Sequence, residues 1–86
     1  MPEICRFYGI IIMLYHGDHA PPHFHARYGE HDAAVLIREF RIVEGGLPPR
    51  AWRLVRMWAR MHRTELAAGW QAVEQGAQPA YIAPLE

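Results

Sequence analysis

One long helical hydrophobic period, opened by Leu47-Pro48-Pro49 and closed near Gln75-Gly76, limits the fold more than any other feature of this chain. Proline suits a first helical turn, where its missing N–H costs nothing. Glycine just past the last periodic residue is an ordinary helix stop. At about 100° per residue, Ala51, Leu54, Val55, Trp58, Met61, His62, Leu66, Gly69 and Val73 share one broad face. Arg53, Arg56, Arg60, Arg63, Gln71 and Glu74 share the opposite one. About 28 residues at 1.5 Å each would be ~42 Å long, whereas a compact domain of this size is about 30 Å across. The helix must therefore break, with Gly69 as the expected point, or project and meet another subunit. Trp52 and Trp70 lie at the edge of the apolar arc, where a partner would cover them.

Before Leu47 there is no helical period. Ile4 to Tyr15 is β-branched and aromatic and reads as one strand, bulged at Gly9. His16 to Pro22 is a loop, marked by Gly17, Asp18 and the Pro21-Pro22 pair. His23 to Tyr28 alternates polar and apolar residues and reads as a second strand. Gly29 to Asp32 is a hairpin turn, Ala33 to Ile37 a third strand, and Glu39 to Val43 a fourth, ended by Glu44-Gly45-Gly46. The tail from Gln78 holds Tyr81 and Ile82 between prolines and adds an edge strand or packs down. The expected fold is one α+β domain over residues 1–86, an antiparallel β-meander of three to four strands followed by one long C-terminal helix packed on the sheet.

Composition narrows the function classes. With 86 residues the chain buries a modest core, and self-association is a common remedy for that. Formal net charge is zero, which speaks against a protein whose main task is coating nucleic acid or membrane. All nine basic residues are Arg, a bias that a high-GC genome produces without any functional cause. The single cysteine, Cys5, beside an apolar run, excludes an intramolecular disulfide and a CxxC-type zinc site. No basic region precedes the apolar stretch and no cleavage site follows it, and Gly9 to Tyr15 is too short to span a bilayer. The cytoplasm is the expected compartment.

Chemistry concentrates in His16 to His31, where five of the six histidines fall. His23 and His25 are two apart, which on a strand puts both imidazoles on one face within reach of one metal ion. A third ligand is needed. His62, on the sheet-facing side of the helix, would complete a three-histidine zinc arrangement with an open position, with Glu65 orienting it. Asp18 and His19 in the preceding loop are the other candidates, and Arg27 lies beside the set. The competing reading starts from Phe24, Ala26 and Tyr28, the apolar members of the same strand. If they face the helix, His23 and His25 face away, His62 cannot join them, and the histidines form a polar interaction or substrate surface. Gly17, His23, His25 and Glu30 fit half of a cupin metal signature, but Ile37 stands where its closing glycine belongs and a helix replaces its second half. Arg53, Arg56, Arg60 and Arg63 form the one stripe suited to phosphates, without any helix-turn-helix pattern around it.

The runs Arg6-Phe7-Tyr8-Gly9-Ile10-Ile11-Ile12, Asp18 to Ala26 and Tyr28-Gly29-Glu30 resemble the bacterial domain-of-unknown-function family numbered 4160. Leu47-Pro48, Trp58 to Leu66 and Trp70 continue that resemblance over nearly the whole chain, and Pro21-Pro22-His23-Phe24-His25-Ala26 is its most specific block. Members resemble components of toxin–antitoxin-type gene pairs and often lie beside a second small family, numbered 2442. The resemblance therefore implies a two-gene module and a small protein partner encoded by a neighbouring gene. It transfers no catalytic residue. Two functions stay open: an interaction protein of such a module, binding through a sheet edge or its helix, and a small His-dependent or metal-dependent enzyme, a ribonuclease-like toxin, using the His-x-His segment. A homo-oligomer fits the first, and zinc is the cofactor of the second; nucleic acid ranks below a protein as partner.

Overall fold

The computed structural model describes residues 2–86, and within them the chain forms five strands and two helices. The strands are β1 (Glu3–Phe7), β2 (Ile10–Met13), β3 (His23–Tyr28), β4 (His31–Leu36) and β5 (Ile42–Gly45). They make one antiparallel meander in chain order, β1-β2-β3-β4-β5. The helices are α1 (Pro49–Met61) and α2 (Arg63–Glu74), packed over one face of the sheet. The α+β meander is thus as expected, with more strands and a divided helix.

The extra strand comes from Ile4 to Tyr15, which is a hairpin and not one bulged strand. Phe7 pairs with Ile10, so only Tyr8 and Gly9 turn the chain. Both have positive φ, 48° and 80°. Two successive left-handed residues suit the right-handed twist of a two-residue hairpin, usually written Asn-Gly or Asp-Gly. Tyrosine in the first position hides that signal. The last strand is also displaced: Phe40 turns the chain at φ 50°, and pairing resumes at Ile42 rather than Glu39.

The long helix breaks at His62, not at Gly69. His62 lies at φ −127°, ψ 30°, and serves as C-cap of α1 and N-cap of α2. The bend lets helical segments of about 20 and 18 Å fit a molecule whose longest dimension is 33 Å. Gly69 instead sits inside α2, buried against Leu14; a Cβ there would lie 2.8 Å from the leucine's Cδ1. Its role is close approach of helix to sheet. No helix among the described residues is long and apolar enough to cross a membrane.

The core lies between the helices and the inner sheet face. Ile4, Ile10, Ile12, Leu14, Phe24, Ala26, Val35 and Ile37 meet Ala51, Val55, Trp58, Ala59, Leu66 and Trp70. Cys5 is fully buried in it, and burial pushes its thiol pKa up, so it behaves as a small hydrophobe. The tail closes the β1 side of the sheet: the Ile82 N–H donates to the Ile4 carbonyl at 2.8 Å, and the Trp58 indole N–H donates to the Ala83 carbonyl at 2.8 Å.

Gly45 is the most constrained position of the meander. Its φ is +72°, and a Cβ would stand 2.0 Å from the Asp32 carbonyl oxygen. Gly45→Ala therefore meets both a left-handed backbone and a clash that no rotamer relieves. It should lower unfolding free energy by at least about 2 kcal/mol, read as a lower urea midpoint.

Candidate functional site

The site is set by the pleat of β3. Phe24 and Ala26 point inward and are fully buried, with the Phe24 ring 6.1 Å from Trp58 in an edge-on arrangement. Successive side chains alternate across a sheet, so His23, His25 and Arg27 fall on the opposite side. The outcome combines the two expectations. The histidines face away from Trp58, yet they are not simply an open surface. The loop from Tyr15 to Pro22 folds back over the start of β3 and covers them.

Asp18 is the residue this loop delivers. Its Oδ2 lies 2.9 Å from His25 Nε2 and 3.1 Å from His23 Nε2. The three side chains are only 20%, 24% and 11% exposed for Asp18, His25 and His23. His23 is wedged between three rings: His25 at 5.1 Å, Trp70 of α2 at 5.3 Å and His19 at 6.3 Å. The Tyr15 ring packs on His25 at 4.4 Å. His16, at the start of the loop, reaches the Ala77 carbonyl at 3.1 Å and ties the loop to the end of α2. The Ile37 N–H donates to the Pro22 carbonyl at 3.0 Å and fixes the other end just past β4.

Hydrogen bonding constrains the tautomer of His23. His23 Nδ1 is 2.8 Å from the Pro21 carbonyl oxygen, which can only accept. The proton of a neutral His23 is therefore on Nδ1, leaving the lone pair of Nε2 aimed at Asp18. His25 Nε2–H can donate to Asp18 in the ordinary way. The carboxylate oxygen thus faces the Nε2 atoms of both rings.

Beside these three residues is a cavity of about 140 Å³. Ala34 and Leu36 line its floor, and Val43 and Glu44 its far wall. The registers explain the opening: His25 pairs with Ala34, and Ala34 with Glu44, so a methyl group separates the imidazole from the carboxylate two strands away. Glu44 is the site residue that sequence reading missed, because its place depends on the irregular register between β4 and β5.

The other expected residues lie apart from this cluster. His19 is exposed at its rim. Arg27 continues the histidine face but donates from Nε to Asp32 Oδ1 at 3.0 Å, and that carboxylate raises the guanidinium pKa further. His62 is not in the group whose ligand atoms lie within 4.8 Å of one another, which is Asp18, His23 and His25. It packs on Trp58 at 5.5 Å, and its Nδ1 bonds the Glu65 carboxylate. The three-histidine arrangement is therefore not assembled; the reason is that Phe24 and Ala26 occupy the side of β3 toward α1. The arginine stripe is also shortened. Arg53, Arg56 and Arg60 are exposed on α1, but Arg63 donates to the Arg38 carbonyl at 2.9 Å and stacks 4.4 Å over Phe40.

The chain belongs to the family described as a domain of unknown function (DUF4160), whose sequence profile matches residues 9–71. That span contains the whole Asp18, His23, His25 cluster and the break between the helices. No curated protein and no solved structure matches the chain.

The two faces of β3 should respond very differently to truncation. Phe24→Ala opens a cavity under Trp58 and should cost about 3–5 kcal/mol. His25→Ala, on the covered outer face, should cost less than half as much. Urea denaturation of the two variants checks the assignment.

Proposed function

We propose that this protein is the partner-binding component of a toxin–antitoxin-like two-gene module in the bacterial cytoplasm, and that its small protein partner adds a strand to the outer edge of β5. The observation that carries this reading is the asymmetry of the sheet edges. The β1 edge is covered by the tail through Ile82 and Tyr81. Among the described residues, no backbone hydrogen bond reaches the outer edge of β5, and Val43 there is 51% exposed. A free edge strand with an exposed β-branched residue is a template for strand addition. A second copy of the chain could use the same edge, giving a homo-oligomer in place of the hetero-complex. The family resemblance supplies the expectation of a partner encoded next door. Co-expression with that neighbouring product should give one stable complex on size exclusion, and Val43→Lys, which places a charge on the edge, should abolish it. Two independent monomers from the unaltered pair would sink the reading, and so would an undisturbed complex with Val43→Lys.

A second reading is favoured by a separate observation, the convergence of Asp18, His23 and His25 beside a cavity. It makes the protein a small His-dependent or metal-dependent enzyme, a ribonuclease-like toxin. Its nucleic-acid substrate would have Arg53, Arg56 and Arg60 for backbone contacts. Induced expression should then arrest growth and degrade RNA, and a His23→Ala/His25→Ala variant should do neither. Full toxicity in that variant removes this reading.

A further inference from the structure

We propose that Asp18, His23 and His25 bind one divalent transition-metal ion through Asp18 Oδ2 and the Nε2 atoms of both histidines, with the remaining coordination positions open to the adjoining cavity. The proposal is independent of strand addition at β5, and it adds a specific ion and ligand set to the enzyme reading without depending on any activity.

Three observations carry it. The first is spacing. Ligands about 2.0–2.1 Å from a zinc-class ion and 90–110° apart stand roughly 2.9–3.4 Å from each other. The oxygen lies 2.9 Å from one imidazole nitrogen and 3.1 Å from the other. All three ligand atoms fall within 4.8 Å of one another. The two oxygen–nitrogen separations match edges of a coordination polyhedron.

The second is the His23 tautomer. With Nδ1–H given to the Pro21 carbonyl, neutral His23 presents a lone pair to a carboxylate oxygen at 3.1 Å. Two acceptors that close repel unless something positive lies between them. A second proton on His23 or a metal ion satisfies both, and the metal takes the lone pair as a ligand. The metal requires only that His25 hold its proton on Nδ1, so that Nε2 ligates as well. The Pro21 carbonyl then plays the outer partner that metal-bound histidines commonly have, fixing ring and tautomer together.

The third is preorganisation. Trp70 and His19 flank the His23 ring, Tyr15 packs on His25, and both ends of the Asp18 loop are tied down. A ligand set held in place before binding avoids the ordering cost that weakens a flexible one.

The donor set also selects the ion. Two imidazoles and one carboxylate suit zinc, cobalt, nickel or ferrous iron, whereas magnesium and calcium prefer oxygen ligands. Three protein ligands on one side leave room for water or an anionic group, and the cavity of about 140 Å³ accommodates one small group at that place.

The test uses the full chain purified without a polyhistidine tag, titrated with Zn2+ by calorimetry and with Co2+ by visible absorption. One equivalent of either should bind, with the d–d bands of a low-coordinate nitrogen and oxygen site for Co2+. Zinc should raise the thermal midpoint, and millimolar Mg2+ should leave the zinc titration unchanged. His23 is nearly buried, so His23→Ala could fail to fold; the partly exposed ligands are the cleaner probes. Asp18→Asn and His25→Gln should each weaken zinc binding by at least about 100-fold, beyond what loss of an outer-shell partner costs, with circular dichroism showing a folded chain. His62→Ala should bind as the unaltered protein does. The proposal is overturned if the unaltered chain takes up well under one equivalent of both metals; Asp18 and His23 would then form a plain imidazolium–carboxylate pair. It is equally overturned if folded Asp18→Asn and His25→Gln bind undiminished, which would put the ion elsewhere.

Discussion

The indole of Trp58 is the piece on which the rest of the molecule depends. It packs against Phe7 at 5.5 Å and Phe24 at 6.1 Å, so it holds α1 across the first and third strands at once. Its N–H, which could not be buried without a partner, donates to Ala83 and brings the tail back over β1. One turn later His62 stacks on the same ring, where the helix bends. A single fully buried side chain thus joins the sheet, the tail and the residue at which the helix breaks.

That packing decides the histidine site indirectly. Once Phe24 is committed to Trp58, the pleat sends His23 and His25 to the other side of the sheet. There they would be an exposed pair if the loop before them were free. The loop is not free: His16 holds one end to Ala77 just past α2, Pro22 the other to Ile37 just past β4, and Asp18 is carried over the imidazoles. Trp70 of α2 completes the enclosure. Among the described residues β5 is the sheet edge without a backbone partner, with Val43 and Glu44 standing both on that edge and on the wall of the cavity. A partner strand on β5 would therefore lie at the rim of the histidine cluster.

Legibility in the sequence varied with how local the determining interaction was. The strand-then-helix order, the loop from His16 to Pro22 and the strand His23 to Tyr28 with its His-x-His pair rest on residue period and turn chemistry, and the structure has these segments where the sequence puts them, with that strand third and not second in order. The first hairpin was concealed because Tyr8 takes a left-handed conformation with no residue-type signal to announce it. The helix break was misplaced because Gly69, the obvious weak point, is used for close packing on Leu14, while His62 ends one helix and starts the next. Asp18 was among the candidate ligands and does join the pair; His62 was the more attractive one and does not.

The sequence by itself determined the α+β order, the two-residue spacing that puts His23 and His25 on one face, and family membership, because these follow from local backbone period and residue identity. Tertiary structure alone decided which face that is, which third residue meets it, and that Glu44 lines the adjoining cavity. Those outcomes depend on side chains distant in sequence competing for the same space. Trp58 takes Phe24, the pleat turns the histidines outward, and the tethered loop brings Asp18 to within 3.1 Å of both.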